Sequence, residues 1–95
     1  MENANIKIVE MLKKRGMTLA IAESLTGGLV SSAICGVPGA SEVLLEGVVS
    51  YTDESKITRL GVRRETLEIH TSVSSQTAAE MAEGVRKNLG ADIGI

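Results

Sequence analysis

The chain has 95 residues, 43% hydrophobic and 23% charged, with a formal net charge of −2. This balance is typical of one globular domain, here covering residues 1–95, and argues against a disordered segment or a repeat array. Ten basic residues against twelve acidic ones, with Tyr51 as the single aromatic residue, provide neither a basic stripe nor stacking surfaces for bases. We therefore expect no nucleic-acid partner.

The cysteine content and the N-terminus favour a cytoplasmic protein. Cys35 is the single cysteine, so no internal disulfide can form, and a reducing compartment is the natural setting. The N-terminal stretch has amphipathic spacing and carries Glu2 and Glu10 among its lysines, unlike a secretory or transit peptide. No apolar run approaches the length that spans a bilayer, so we expect no membrane partner.

The first half of the chain predicts two helices around a buried strand. Apolar spacing indicates a helix from about Asn3 to Arg15, and the short apolar run Thr18–Ala22 indicates a strand. A second helix is predicted from about Gly27 to Cys35, because Gly36 and Pro38 follow as stop residues.

After this helix, the sequence predicts a short helix and a second strand. Ser41 is a plausible N-cap for a short helix containing Val43, Leu44 and Leu45. The segment 47–51 is β-branched and ends in an aromatic residue, so we expect a strand running to about Tyr51.

The second half predicts three helices and a third strand. Thr52 or Asp53 can cap a helix over Glu54 to Leu60, and a short helical turn is expected around Glu65–Glu68. Ser74 or Ser75 begins a long amphipathic helix that stops at Gly90. The segment 91–95 then begins a third strand.

Strands that alternate with helices predict a three-layer α/β/α fold with a mostly parallel sheet. A chain this short buries little surface for such a fold, and its last segment is an apolar strand with nothing after it. We therefore expect a sheet that is incomplete at the C-terminus, in a shortened form of a longer domain or with a partner supplying the rest. A homo-oligomer, a dimer or larger, fits the small core.

The turn Glu23–Gly28 is the best candidate for a functional site, because the unpaired amides of a helix N-terminus can hold an anion or an oxyanion. Ser24 could be a nucleophile there, followed by Thr26 and two glycines that let a substrate approach the backbone. A capping serine in a turn of small residues is the ordinary alternative. The stretch lacks the Walker and G-x-G-x-x-G patterns.

Tyr51 and Lys56 form a second candidate group, at the end of the second strand and on the first turn of the next helix. In a parallel sheet this edge is also the edge that carries Ser24, so the two groups could meet. A lysine shielded from water can act as base for a serine, with a tyrosine hydroxyl relaying or orienting the proton. A surface lysine and a half-buried tyrosine remain the alternative.

The remaining polar residues predict no further site. His70, the single histidine, lies in a weakly patterned connector, where a solvated or capping role is expected. One histidine and one cysteine do not build a metal site, and we expect no metal or other cofactor. Glu23 could orient the turn or bind a ribose hydroxyl, with an exposed carboxylate at a helix start as the alternative.

Several motifs together resemble the CinA C-terminal domain family, the PncC-type nicotinamide-mononucleotide deamidases. The similarity covers nearly the whole chain from Thr18 onward. The matching stretches are 22–28 (AESLTGG), 37–41 (VPGAS), 47–51 (GVVSY) with Lys56, 60–62 (LGV), 73–74 (VS) and 79–84 (AEMAEG).

This resemblance implies an amidohydrolase that converts nicotinamide mononucleotide into nicotinate mononucleotide and ammonia, in pyridine-nucleotide salvage. Ser24 would be the nucleophile, Lys56 the general base and Tyr51 its partner. The residues that would line the pocket around the pyridine nucleotide are Thr26, Gly27, Gly28 and Ser41, with Glu23 counted among the substrate-binding candidates.

The sequence departs from the family pattern at two places. Leu25 stands where the family often has cysteine, which we expect to be tolerated because this residue is not the nucleophile. Family domains also continue past the strand at Ala91 into glycine-rich loops, further strands and a helix, which include substrate-contacting residues. The alternative function is therefore a catalytically inactive nucleotide-binding or assembly module.

Overall fold

A computed structural model describes residues 2–95, with side chains from residue 4 onward. The helices it contains are α1 (Glu2–Arg15), α2 (Leu29–Cys35), α3 (Asp53–Leu60), α4 (Arg64–His70) and α5 (Ser75–Leu89). The strands are β1 (Leu19–Glu23), β2 (Leu44–Val49) and β3 (Ile93–Gly94).

The three strands form one parallel sheet with β1 in the centre, in the order β2-β1-β3. Leu19 pairs with Leu44 on one side and with Ile93 on the other. The register between β1 and β2 shifts after Leu19, so that Ala20 pairs with Glu46 and Leu45 is the extra residue. The predicted parallel α/β sheet is confirmed.

Two apolar cores lie on opposite faces of this sheet, because successive residues of β1 point to opposite sides. Leu19 and Ile21 pack with residues of α1 and α2, while Ala20 packs with residues of α3, α4 and α5. The chain therefore forms the three-layer arrangement that the sequence predicts.

The segment before β2 differs from the prediction. Ala40–Glu42 is a single 3₁₀ turn entered through Gly39, whose φ is 85°, so Ser41 is not an N-cap. Leu44 and Leu45 belong to β2 instead of a helix, since pairing with the central strand outweighs the local helical pattern. The strand starts and ends earlier than predicted, which leaves Tyr51 in the loop that follows it.

The helix ends agree closely with the sequence. Thr52 caps α3 by accepting a hydrogen bond from the Ser55 amide, and Ser74 caps α5 by accepting one from the Thr77 amide. The short turn predicted around residues 65–68 is a complete helix, α4. The Arg63 amide, just before this helix, donates a hydrogen bond to the Glu80 carboxylate of α5. That contact spans 17 residues, so no local pattern reveals it.

Within the described residues, none of the helices combines the length and the apolar character needed to cross a membrane.

Candidate active site

The loop from β1 to α2 carries Ser24 at the carboxyl end of the central strand. Gly27 and Gly28 take φ values of 68° and 117°, which side-chain-bearing residues rarely adopt, and they turn the chain sharply into α2. The Gly27 amide donates to the Ser24 carbonyl at 3.1 Å and closes the turn. The strand and the glycines together present Ser24 at the edge of the sheet.

Lys56 reaches this serine from the first half of α3. Its Nζ lies 3.0 Å from Ser24 Oγ and donates a second hydrogen bond of 2.9 Å to the Tyr51 carbonyl oxygen. The Lys56 side chain is 1% exposed. Among residues 4–95, no carboxylate lies within ion-pair distance of its Nζ. Buried Lys56 and half-buried Ser24 therefore form a hydrogen-bonded pair, although 32 residues separate them.

Tyr51 also lies next to Ser24 and Lys56, but it contacts Lys56 through its main chain. The carbonyl oxygen accepts the lysine hydrogen bond, whereas the side chain is 68% exposed at the mouth of the cavity. The expected hydroxyl contact is thus replaced by a carbonyl contact. This carbonyl points Lys56 at Ser24, and the phenol ring is free to meet a bound molecule.

Glu23, which precedes the serine, is 5% exposed, so the alternative of an exposed carboxylate is wrong. Its Oε1 accepts from the Thr26 hydroxyl at 2.8 Å and from the Val30 amide at 2.9 Å. Its Oε2 accepts from the Ser31 amide at 2.9 Å. Burial alone would raise the pKa of Glu23, but the hydrogen bonds from Ser31, Thr26 and Val30 outweigh it and hold the pKa below the usual value.

The other candidate site residues lie at opposite edges of the sheet, some beside Ser24 and one away from it. Thr26 is exposed at the wall of the cavity, and Gly27 and Gly28 form the turn beside it. Ser41 is exposed in the 3₁₀ turn before β2, close to Val43, whose carbonyl accepts from the Leu19 amide at the start of β1. Because Ser24 follows the end of β1, Ser41 lies at the opposite edge and does not line the cavity.

A cavity of about 560 Å³ opens above Ser24 and Lys56. Residues that the sequence analysis did not select as site candidates also line it, and they come from the connection to α5, from α5 itself and from the residue after β3. These are Ser72, Val73, Ser74, Ala78, Met81 and Ile95. Topology could have identified the connection, since a helix that leads into a parallel strand must begin at the carboxyl edge of the sheet.

This connection to α5 is held in an unusual backbone conformation. Thr71 has φ 69° and ψ 173°, a region nearly restricted to glycine, which costs of order 1–3 kcal/mol. Its carbonyl accepts hydrogen bonds from the hydroxyls of Ser74 and Thr77, at 3.2 and 2.8 Å. These bonds fix the wall formed by residues 72–74 over the cavity.

His70 and Cys35 lie outside the cavity. His70 is exposed at the end of α4, as expected for a solvated histidine, and Cys35 is exposed at the end of α2. The side chains that the structure describes contain no group of three or more His, Cys, Asp or Glu residues suited to a metal ion.

The geometry suits nucleophilic chemistry on a small molecule. A serine hydroxyl faces a lysine nitrogen at hydrogen-bonding distance, and a carbonyl oxygen orients that nitrogen. Ser24 opens the loop that joins β1 to α2, and the Val30 and Ser31 amides at the start of α2 already donate to Glu23.

Comparison with known proteins agrees with this architecture. The sequence profile of the CinA C-terminal domain family matches residues 1–95. A Clostridioides difficile protein described as competence-damage inducible is 57% identical over 88 residues, and a CinA-like protein of Kosmotoga olearia is 50% identical over 88 residues. Each alignment covers 93% of this chain but 21% of the relative, so the chain spans about a fifth of these proteins.

Solved structures show the same fold. The competence or damage-inducible protein of Enterobacter asburiae has a TM-score of 0.92 at 42% identity, and a CinA superfamily protein of Escherichia coli has 0.92 at 35%. These comparisons cover 96% of this chain and 57% and 53% of those chains. The chain therefore belongs to the CinA C-terminal domain family.

Proposed function

We propose that this chain carries the catalytic serine, lysine and tyrosine of an amidohydrolase that converts nicotinamide mononucleotide to nicotinate mononucleotide and ammonia. The observation that carries the proposal is the 3.0 Å contact between Lys56 Nζ and Ser24 Oγ in a cavity of about 560 Å³. A cavity of this size suits a small molecule. The substrate rests on the family resemblance, and the reaction would belong to pyridine-nucleotide salvage in the cytoplasm.

In the first step, Lys56 in its uncharged amine form accepts the hydroxyl proton of Ser24 while Oγ attacks the carboxamide carbon. One N–H of the amine remains bonded to the Tyr51 carbonyl, which directs the nitrogen lone pair toward Oγ. Collapse of the tetrahedral intermediate breaks the C–N bond, and Lys56 returns the proton to the leaving nitrogen, which departs as ammonia.

In the second step, water hydrolyses the ester on Ser24. Lys56 accepts a proton from the water as the water oxygen bonds to the ester carbon, the C–O bond to Oγ breaks, and Lys56 returns the proton to Oγ as the acid product leaves. No redox partner or metal is needed for this balance. The Tyr51 ring, Thr26 and the Gly27-Gly28 backbone border the substrate space, whereas Ser41 would contact substrate only if another copy of the chain supplied it.

A second candidate is an inactive nucleotide-binding or assembly module. One observation favours it: the chain spans just over half of its solved relatives, with 53% to 57% coverage. In those proteins further chain accompanies the same fold, so catalysis could depend on it. We also propose that the chain forms a homo-oligomer, since β2 pairs only with β1 among the residues that the structure describes.

Ammonia release from nicotinamide mononucleotide tests the proposal. We expect release by the wild-type chain, loss in Ser24→Ala, and wild-type release in Ser32→Ala, which removes an exposed hydroxyl of α2. Circular dichroism of all three proteins checks that they fold. No release by a folded wild-type chain would contradict the proposal for this form and favour the inactive module.

A further inference from the structure

Ser24 belongs to the five-residue loop 24–28, which joins β1 to α2 and contacts a buried carboxylate, that of Glu23. The loop contains two glycines with positive φ, so its own backbone has many alternative conformations. A nucleophile on such a loop must still be held to a fraction of an ångström, since small misplacements are costly in rate. Contacts from outside the loop are therefore needed to fix the position of Ser24.

Glu23 supplies that constraint by connecting three points of the chain. Its backbone is paired in the central strand, where its carbonyl accepts from the Ser50 amide at 2.8 Å. Its carboxylate holds the Thr26 hydroxyl, inside the loop, and the Val30 and Ser31 amides, at the start of α2. The loop is thus tied at its beginning, its middle and its end by one residue.

We propose that Glu23 is a positioning residue, which fixes the Ser24 loop so that Oγ faces Lys56, and that it does not bind substrate. Glu23 borders the cavity, but both of its carboxylate oxygens already accept hydrogen bonds from the chain and only 5% of the residue is exposed. This inference rests on the proposed nucleophile, Ser24, but it does not depend on the identity of the substrate.

Glu80 provides a matched control within the same molecule. Its carboxylate accepts from the Arg63 amide at 2.8 Å and from the Thr66 hydroxyl, so it also ties a helix start to another element. The Glu80 cluster lies outside the cavity with Ser24 and Lys56. Glu80→Gln should therefore lower stability by weakening hydrogen bonds to a buried or half-buried carboxylate, as Glu23→Gln does, without displacing Ser24.

The test is the rate at which Ser24 reacts with an alkyl fluorophosphonate, followed by mass spectrometry of the peptide that contains it. In this reaction Oγ bonds to phosphorus, the P–F bond breaks, fluoride leaves and the hydroxyl proton passes to Lys56. We expect labelling at least about tenfold slower in Glu23→Gln, because the amide nitrogen cannot accept from the Ser31 amide. Glu80→Gln should stay within about twofold of wild type.

The split between kcat and KM separates positioning from substrate binding. With nicotinamide mononucleotide, Glu23→Gln should lower kcat and leave KM nearly unchanged, whereas loss of a substrate ligand would raise KM. Equal labelling rates in Glu23→Gln and Glu80→Gln would overturn the inference, as would a change in KM alone.

A second variant keeps the inference testable if Glu23→Gln does not fold. Glu23→Asp retains the charge but is one methylene too short to hold Thr26 and the α2 amides together, so slower labelling is expected and wild-type labelling would overturn the inference. Labelling of wild type without ammonia release would contradict the substrate alone. Absence of labelling at wild-type Ser24 would overturn both the nucleophile and the inference.

Discussion

At the residue scale, Lys56 and Glu23 are both buried polar side chains, but they differ in how their polar atoms are satisfied. Lys56 is 1% exposed and is satisfied by a serine hydroxyl and a main-chain carbonyl instead of a carboxylate. Burying a lysine side chain without a carboxylate partner costs stability, and such costs are typical of functional sites. Glu23, by contrast, has charge-assisted hydrogen bonds to both oxygens, so its burial stabilises the loop.

The lowered pKa of Glu23 predicts a dependence of stability on pH. A carboxyl group with a folded pKa below its unfolded value of 4.5 stabilises the fold above that value, and this contribution is lost as the pH falls through the lower folded pKa. Glu23→Gln should therefore flatten the decline of the urea midpoint below about pH 5. An unchanged decline in that variant would contradict the assignment.

Ser24 and Lys56 could be identified from the sequence because parallel strands all end at the same edge of a sheet. The burial of Glu23 could not be identified in this way, because its partners Val30 and Ser31 are main-chain amides that any residue would provide. The sequence also favours the Tyr51 hydroxyl at the lysine, whereas the carbonyl lies there. Every residue type supplies the same main-chain groups, so a sequence pattern does not predict which main-chain amide or carbonyl a side chain will contact.

At the element scale, caps and stop residues were predictable, whereas the bounds of β2 were not. Thr52 and Ser74 cap α3 and α5 as their side chains favour. Leu44 and Leu45 are compatible with either a helix or a strand, and only the neighbouring strand decides between them. The wall of the cavity at residues 72–74 likewise depends on where α5 begins relative to the sheet.

The close packing of α5 on α3 predicts a strong effect of one added methyl group. A Cβ on Gly84 would overlap the Leu60 carbonyl oxygen, so Gly84→Ala should lower the free energy of unfolding by about 1–3 kcal/mol or more. Gly36→Ala is the control, because a Cβ there would lie 3.6 Å from its nearest neighbours, an ordinary contact. Urea unfolding that ranks the two variants equally would contradict this packing.

At the scale of the whole molecule, the outer strands β2 and β3 each pair only with β1 in the described part of the chain. On β2, Leu45 is 47% exposed and Val49 is 45% exposed, and the outer hydrogen-bonding groups of this strand have no partner strand in the described part of the chain. Exposed apolar edge strands favour pairing with another chain. The three-layer fold was predictable from the alternation of strands and helices, but the way these edges are covered was not.

We therefore predict self-association through β2. Sedimentation velocity should show a species larger than a monomer for wild type and a shift toward monomer in Leu45→Lys. Ile8→Lys, at a site on α1 with a similar exposure of 42%, should associate as wild type does. A wild-type chain that stays monomeric at high concentration would refute the prediction.

The most direct test of the account is a double-mutant cycle on kcat/KM for ammonia release from nicotinamide mononucleotide, using Ser24→Ala, Lys56→Met and the double variant. If the two residues act as one unit, each single substitution should lower kcat/KM by about 100-fold or more, and the double variant should be no worse than the poorer single one. Losses that multiply, or activity retained in Ser24→Ala, would contradict a catalytic serine–lysine pair.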